Sequence, residues 1–220
     1  MAVSDSPVAY WTAGIAPSPA DDHRLPARPE QLVQLVWDRG VALRGWNYPH
    51  VPRNEPPQGV TSLPDGGIEA VTATGRYQEV WRLHPSGLFT HRWRLREDGT
   101  GYRGTISVVA AIYTVAEVFE FGRRLYQEDS TVDTVTFRIT LEDVLGRPAS
   151  GDSINDPLSG DQARQNAARY VTELPRADLA AGILEPSAAA GESLFGQLGY
   201  TSVSRSFIED KARAFLAGRI

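Results

Sequence analysis

Two short segments of alternating apolar and polar residues flank a three-residue turn, and this hairpin pattern constrains the fold more than any other feature of the sequence. The segments are residues 77–84 and 88–96, and the turn between them is Pro85-Ser86-Gly87. A three-residue loop that contains glycine is a common connection between antiparallel strands. Pairing His84 with Leu88 fixes the register, so side chains two residues apart share one face of the sheet. We predict that the core face carries Trp81, Leu83, Phe89, Trp93 and Leu95, with His91 as a hydrogen-bonded core histidine.

Helical and strand-like segments follow one another along the rest of the chain. Residues 106–127 carry apolar side chains at helical spacing on a wide stripe, which predicts a long and nearly buried helix. Two C-terminal helices are predicted over 187–198 and 202–217. This order indicates an α+β fold with a largely antiparallel sheet, a central hairpin, one long buried helix and a C-terminal helix pair. The other predicted elements are a helix over 30–43, strands over 68–74, 131–141 and 169–175, and a short helix near 161–168.

Length and composition suit one folded unit that follows an N-terminal arm. The chain has 220 residues, of which 41% are hydrophobic, and this is enough for a sizeable core. Residues 17–26 are rich in Pro and Asp, which favour turns. We therefore predict an extended arm over residues 1–28 and a single α+β domain over residues 29–220.

Composition also narrows the classes of function. The sequence contains no Cys, which excludes disulfide bonds, thiolate nucleophiles and cysteine-ligated metal centres. The formal net charge is −5 at pH 7, which argues against a protein that binds nucleic acid or membranes over its whole surface. The first residues, MAVSDSPVAY, lack the basic and apolar regions of a secretory signal. We expect a soluble cytoplasmic protein with no membrane partner.

One glycine motif matches a nucleotide-binding pattern in its spacing. Gly99, Gly101 and Gly104 have the arrangement G-x-G-x-x-G between a predicted strand and a predicted helix. The preceding strand, however, has Arg at alternate positions, whereas the central parallel strand of a dinucleotide-binding fold is apolar on both faces. We interpret the motif as a turn and expect no cofactor. The four His lack metal-binding spacing and no known catalytic motif is present, so we predict no metal site and assign no catalytic residue.

The hairpin face opposite the predicted core is a candidate binding surface. Alternation places five arginines around it, and a basic strip on an acidic chain can bind phosphates or an acidic partner. The alternative interpretation is a solvated face whose arginines form ion pairs within the chain. The candidates for anion or partner binding are Arg76, Arg82, Arg92, Arg94 and Arg96, with His84 at the hairpin tip.

The loop that ends the first predicted helix supplies another set of candidates. Trp46, Tyr48 and His50 lie close together in it, which suits either a binding loop or a packed corner. If the chain is an enzyme, its catalytic site must be assembled from distant loops. The polar candidates for such a site are His50, His84 and Glu97.

This loop and the hairpin together resemble the pattern of a bacterial protein family that has no assigned activity. The matching blocks lie within about residues 40–98. They are Gly45-Trp46-Asn47-Tyr48-Pro49-His50, Glu79-Val80-Trp81-Arg82, Ser86-Gly87-x-Phe89-x-His91 and Leu95-Arg96-Glu97-Asp98. The resemblance implies a bacterial source and no particular chemistry.

From these observations we expect a non-catalytic binding or accessory domain. Its partner would be another protein or a second copy of the same chain. Nucleic-acid or phosphate binding through the arginine face is the first alternative. An enzyme with a site assembled from distant loops is the second.

Overall fold

The computed structural model describes residues 7–51, 59–74, 77–99, 104–151 and 157–219, which form two sheets and a set of helices. The strands are β1 (Tyr10–Ser18), β2 (Val60–Ser62), β3 (Ile68–Thr74), β4 (Tyr77–Leu83), β5 (Phe89–Arg94), β6 (Ile106–Ser107), β7 (Thr134–Glu142), β8 (Pro148–Ser150), β9 (Pro157–Gln162) and β10 (Ala167–Pro175). The helices are α1 (Pro29–Arg39), α2 (Val108–Tyr126), α3 (Arg176–Ala181), α4 (Leu184–Leu198) and α5 (Arg205–Leu216), with a 3-10 helix over Arg96–Gly99.

A seven-stranded sheet with the order β10-β7-β1-β5-β4-β3-β2 is the framework of the molecule. Its neighbouring strands pair antiparallel, which confirms the predicted α+β class with a largely antiparallel sheet. A smaller sheet joins β6, β8 and β9. The inner face of the large sheet is mostly apolar and packs against helices, whereas its outer face carries mainly polar side chains that meet solvent.

The strands β4 and β5 form the predicted hairpin. The N–H of His84 donates to the carbonyl oxygen of Leu88 at 3.0 Å, so the register is the one that the alternation predicts. Trp93 is only partly buried, because it lines a cavity. The other predicted core residues are buried, namely Trp81, Leu83, Phe89, His91 and Leu95.

The N-terminal segment belongs to the sheet, which corrects the prediction of an arm over residues 1–28. β1 pairs with β5 on one side and with β7 on the other, so it is a central strand. Its inward side chains Trp11, Ala13 and Ile15 are buried. The small residues Ala13 and Gly14 weaken the alternating pattern here, and the Pro- and Asp-rich stretch that follows dominates the local composition.

Residues 161–168 differ from the prediction of a short helix. They span the end of β9 and the start of β10. Their run of Gln, Ala and Arg has good intrinsic helix propensity. Pairing of β10 with β7 overrides that propensity, since Ala167 and Ala168 lie opposite Glu142 and Leu141.

The long helix α2 packs on the inner face of the sheet, as its apolar stripe predicts. Ser107 caps it by accepting the N–H of Ala110 at 3.2 Å. A Cβ atom at Gly122 would lie 2.5 Å from Phe137 Cε1, so glycine allows the helix to approach the sheet closely. The C-terminal helices α4 and α5 also pack against α2. None of the helices in the described residues is long and apolar enough to cross a lipid bilayer.

Candidate functional site

A cavity of about 290 Å³ opens between the inner face of the sheet, the start of α2 and the loop that follows α1. Aromatic rings form much of its wall, and three Glu and three Arg are among its lining residues. The strands supply Trp11, Thr72, Gln78, Glu79, His91, Trp93 and Arg94, and the segment after β5 supplies Leu95, Arg96 and Glu97. The helix α2 supplies Ala110, Ala111, Thr114 and Glu117, and the loop supplies Arg44, Trp46, Asn47, Tyr48 and His50.

Strand register explains why polar side chains reach this cavity. Thr72 pairs with Glu79, and Glu79 pairs with Trp93. Trp93 in turn pairs with Trp11, so these four residues form one row across β3, β4, β5 and β1. The next row toward the hairpin turn contains His91. The cavity therefore lies at the end of the inner face where apolar core residues give way to polar ones.

The loop after α1 places Tyr48 against these strands. Val41 and Tyr48 exchange two backbone hydrogen bonds of 2.9 and 2.8 Å, which close the loop. The Tyr48 ring then packs edge-on against Trp93, with ring centroids 5.7 Å apart, and lies 5.2 Å from the His91 ring. Beyond Tyr48, the carbonyl oxygen of His50 accepts a 2.7 Å hydrogen bond from Trp81 Nε1. The core of the hairpin thus fixes the loop that covers the cavity.

A buried ion pair connects the same loop to α2. Arg44 Nε donates to Glu117 Oε1 at 2.9 Å, and Arg44 Nη2 bonds both Glu117 Oε2 and Thr114 Oγ1. Burial raises the pKa of Glu117, and the Arg44 guanidinium opposes that shift. The guanidinium carbons of Arg44 and Arg96 each lie 5.1 Å from the centre of the Trp46 ring. The charges of Arg44 and Glu117 are therefore paired within the protein.

Glu79 holds His91 in one orientation. His91 Nε2 lies 3.1 Å from Glu79 Oε2, and the imidazole stacks on Trp93 with ring centroids 4.2 Å apart. A carboxylate only accepts hydrogen bonds, so the hydrogen of this contact lies on Nε2 of His91. Nδ1 is buried and has no hydrogen-bond partner among the described residues.

Further unpartnered polar atoms occur on residues that line the same cavity. Within the described part of the chain, they are Tyr48 Oη, Thr72 Oγ1 and Arg94 Nε. Burial, together with the negative charges of Glu117 and Glu79, raises the pKa of Tyr48 well above its ordinary value, so the phenol keeps its hydrogen. A buried polar atom without a partner costs about 1–3 kcal/mol, and folded proteins contain few of them. Together with His91 Nδ1, four such atoms therefore belong to residues that line one cavity.

The predicted arginine surface is divided between two places. Arg82 and Arg92 lie on the outer face of the sheet. Arg82 Nε donates to Glu69 Oε2 at 2.6 Å, and the Arg92 guanidinium lies 4.0 Å from the centre of the Tyr10 ring. These contacts correspond to the alternative interpretation, in which the arginines are satisfied within the chain.

The remaining arginines do not share that outer surface. Arg94 and Arg96 are among the residues that line the cavity. Arg94 Nη2 donates to the carbonyl oxygen of Asp98 at 2.6 Å, and Arg96 lies over Trp46. Arg76 lies outside the described residues.

The structure brings together most of the loop and enzyme candidates. Trp46, Tyr48, His50 and Glu97 all line the cavity. Glu97 is buried, its Oε1 accepts the N–H of Ser107 at 3.0 Å, and burial raises its pKa. His84 lies instead at the hairpin turn. There its Nδ1 and Nε2 lie 2.8 Å from Ser86 Oγ and 3.1 Å from the carbonyl oxygen of Asp65.

The glycine motif lies in a different setting from the one that dinucleotides require. The strand before it, β5, pairs antiparallel with both β1 and β4, whereas the dinucleotide fingerprint follows a parallel strand. Residues 100–103 of the motif lie outside the described residues. In the described ranges, no group of three or more His, Asp or Glu is placed to hold a metal ion.

Sequence reasoning missed several residues of this site. Thr72, Glu79 and His91 carry a detectable pattern, because each is a polar residue at a core-facing position of an alternating strand. Such positions are either satisfied internally or line a site. Arg44 and Glu117 carry no comparable pattern, since they are 73 residues apart in the sequence.

Comparisons of this chain with protein-family models, with curated proteins and with solved structures find no match. Function must therefore be inferred from the chemistry of the cavity itself.

Proposed function

We propose that the protein is a non-catalytic binding domain that holds a small organic molecule in the aromatic cavity. Two buried and unpartnered atoms of residues that line the cavity, His91 Nδ1 and Tyr48 Oη, carry this proposal. Their side chains belong to residues that are 2% and 5% exposed, and both rings contact Trp93. A bound molecule would supply the missing hydrogen bonds and stack on the same rings.

The size and the lining of the cavity agree with this role. Its volume of about 290 Å³ lies near the lower end of the roughly 300–1,000 Å³ that ligand pockets occupy. Such pockets combine apolar and aromatic walls with a few polar groups that fix orientation. Here Trp11, Trp46 and Trp93 supply the aromatic surface, and Thr72 and His91 supply polar atoms. We expect a ligand of one or two rings.

The side chains present favour binding over covalent chemistry. The described residues that line the cavity include no Ser and no Lys, and the sequence contains no Cys. Ser, Lys and Cys are common nucleophiles of covalent mechanisms, which can also use the Glu, Thr, His and Tyr side chains that line this cavity. In this proposal, the hydrogen bond from His91 to Glu79 serves to orient the imidazole toward the ligand.

The tryptophans allow a site-resolved test of binding. Trp11, Trp46 and Trp93 line the cavity, whereas Trp37 lies in α1. We expect benzamide and indole, titrated into ¹⁵N-labelled protein, to shift the indole N–H resonances of the three lining tryptophans and to leave that of Trp37 in place. If neither probe moves the three resonances at millimolar concentration, the proposed function is wrong.

A matched pair of variants tests the location of the bound probe. Ala110 lines the cavity from α2, and Ala214 is a similarly half-buried alanine on α5. Ala110→Leu places extra volume in the cavity and should abolish the resonance shifts, whereas Ala214→Leu should preserve them. Equal loss in both variants would contradict binding in this cavity.

An accessory role in a bacterial cytoplasm, with another protein or a second copy of the chain as partner, belongs to the same proposal. The outer face of the sheet offers the exposed apolar side chains Val71, on β3, and Val171, near the opposite edge on β10, as separate contact points for a partner. Sedimentation equilibrium of the purified chain tests self-association. A dimer that becomes monomeric in Val171→Lys would support a second copy of the chain as the partner. A chain that stays monomeric at all concentrations would leave another protein as the partner.

A further inference from the structure

Two of the buried carboxylates at the cavity are already satisfied by the protein. Glu117 bonds Arg44 through both of its oxygens. Glu97 accepts the N–H of Ser107 at 3.0 Å. Burial raises the pKa of both carboxyl groups, which lowers their tendency to carry charge. Neither group therefore offers a free negative charge to a ligand.

The cationic residues that line the cavity, apart from Arg44, are Arg94 and Arg96, with His50 as a further basic side chain. Arg94 Nη2 donates to the carbonyl oxygen of Asp98 at 2.6 Å, whereas its buried Nε has no hydrogen-bond partner among the described residues. Arg96 and His50 are exposed, and Arg96 lies over the Trp46 ring. Solvent screens charges at such an exposed rim more strongly than charges inside the cavity.

Glu79 differs from the other acidic residues. Its Oε2 accepts the hydrogen of His91 Nε2 at 3.1 Å, and its side chain is 15% exposed. Among the described residues, no Arg or Lys forms an ion pair with Glu79. A partly buried carboxylate in this situation is stabilised by a cation brought from outside.

Two tryptophans share the row of the sheet in which that carboxylate lies. Trp93 is the cross-strand partner of Glu79, and Trp11 follows Trp93 in the same row. Indole faces attract cations through their electron-rich rings. His91 Nδ1 adds a buried ring nitrogen that lacks a hydrogen-bond partner among the described residues.

We propose that this cavity selects a small planar organic cation with N–H donors, namely an amidine or a protonated amine attached to an aromatic ring. The carboxylate of Glu79 supplies the opposite charge, the tryptophans supply the stacking surface, and His91 Nδ1 accepts a further hydrogen bond. A ligand carboxylate or phosphate would instead meet Glu79 as a like charge. This inference rests on the proposed function and specifies the ligand class for the same site.

Three probes of similar shape separate the contribution of charge to the binding affinity from the contribution of ring stacking. Benzamidine, benzamide and benzoate share one ring and carry a positive, a neutral and a negative group. Isothermal titration calorimetry at neutral pH on the full chain should give benzamidine the tightest binding, by about tenfold or more over benzamide, because hydrogen bonds between charged groups are the stronger ones. Benzoate should bind most weakly.

Two carboxamide variants assign the charge preference to one residue. Glu79→Gln keeps an acceptor for His91 and removes the charge, so benzamidine should bind only as tightly as benzamide, whose own affinity should not change. Glu69→Gln removes a carboxylate from the outer face of the sheet and should leave all three affinities unchanged. Loss of benzamidine preference in Glu69→Gln, or its persistence in Glu79→Gln, would overturn the assignment.

The outcomes distinguish this inference from the proposed function. If benzamide or benzoate binds as tightly as benzamidine, the cavity is a binding site but the cation preference is wrong. If none of the three probes binds, both the proposed function and the inference are wrong. Should Glu79→Gln fail to fold, the ranking of the three probes on the unmodified protein decides the question.

Discussion

Arg147 and Asp98 form a two-point ion pair inside the protein, with Nη1–Oδ1 and Nη2–Oδ2 distances of 2.7 and 2.9 Å. Both side chains are at most 2% exposed. The N–H of Ala9 also donates to Asp98 Oδ2 at 2.7 Å, and the Tyr200 hydroxyl donates to the carbonyl oxygen of Arg147 at 2.9 Å. This pair therefore joins the N-terminal strand to the segment after β5 and to the C-terminal helices.

Removal of one partner of this pair should strongly destabilise the protein. Arg147→Met leaves the Asp98 carboxylate buried without its cation, so we expect the free energy of unfolding to fall by about 3–5 kcal/mol. Urea denaturation followed by circular dichroism measures this loss. The control is Arg213→Met, because the Arg213–Asp210 pair is 53% and 74% exposed and should contribute less than about 1 kcal/mol. Similar losses in both variants would contradict the structural role of the buried pair.

Trp81 is the largest side chain of the hairpin core. It is 1% exposed, and its Nε1 donates to the carbonyl oxygen of His50. Trp81→Ala should cost about 3–5 kcal/mol of stability, as for other buried aromatic residues. Leu88→Ala changes a 46% exposed residue of the same hairpin and should stay within about 0.5 kcal/mol of the parent. A loss of that small size in Trp81→Ala would contradict the strand register.

Two tyrosine hydroxyls should respond in opposite directions when they are removed. Tyr48 Oη is buried without a partner, whereas Tyr200 Oη donates to the carbonyl oxygen of Arg147. In ligand-free protein, Tyr48→Phe should leave stability unchanged or raise it by up to about 1 kcal/mol, because a buried polar atom without a bond is removed. Tyr200→Phe should lower stability by about 1 kcal/mol or more, because it leaves the carbonyl oxygen unpaired. Equal losses would show that Tyr48 Oη has a partner in the free protein.

Glu97 should make stability depend on pH. Burial raises its pKa above the usual 4.5, and the hydrogen bond from Ser107 only partly opposes this. The folded chain then binds more protons at this group than the unfolded chain, so stability falls as pH rises from the usual pKa through the raised one. Glu97→Gln cannot titrate, so its stability relative to the parent should increase over that interval and level off above it. Urea denaturation across this pH range measures the difference.

The control for this pH dependence is Glu128→Gln, which changes a side chain that is 68% exposed. Over the same interval, its stability relative to the parent should change less than that of Glu97→Gln. A constant or falling difference for Glu97→Gln would contradict the effect of burial on Glu97.

Nucleic-acid binding through the outer-face arginines can be tested separately. We expect no submicromolar binding of duplex DNA in a fluorescence-anisotropy titration at physiological salt, because Arg82 is paired with Glu69 and the chain carries a net charge of −5. Real binding would weaken with salt at a log–log slope of about −0.9 for each phosphate contacted. Binding with that salt dependence, lost on Arg82→Glu combined with Arg92→Glu, would contradict this expectation.

The elements that could be predicted are those whose pattern is local. The hairpin register follows from alternation within residues 77–96, and α2 follows from apolar spacing within one segment. β1 was not predictable in the same way, because its small residues conceal the alternation and its partners, β5 and β7, lie far along the chain.

The site was less accessible to sequence reasoning because it is assembled across strands. Trp46, Tyr48 and His50 are neighbours in sequence, and the structure keeps them together at the cavity. Thr72, Glu79, Trp93 and Trp11 become neighbours only through the pairing of four strands. Polar residues at core-facing positions of a strand indicate a site or an internal hydrogen-bond network. Only the strand register shows which of these residues lie next to one another.

The turn Pro85-Ser86-Gly87 lies at the opposite end of the hairpin from the cavity. Its length nevertheless determines which side chains of β5 face the cavity beside Glu79. Inward and outward positions alternate along both strands, so one residue added to the turn would bring Arg92 or Arg94 beside Glu79 in place of Trp93. Gly87 fixes the conformation of this turn, because its φ of +87° and the 2.9 Å approach of Pro17 to a Cβ at this position favour glycine over any other residue. The length of this turn would thus determine which charge of ligand the cavity binds, although the turn itself contacts no ligand. An insertion in the turn should convert the cation-binding site into a neutral one.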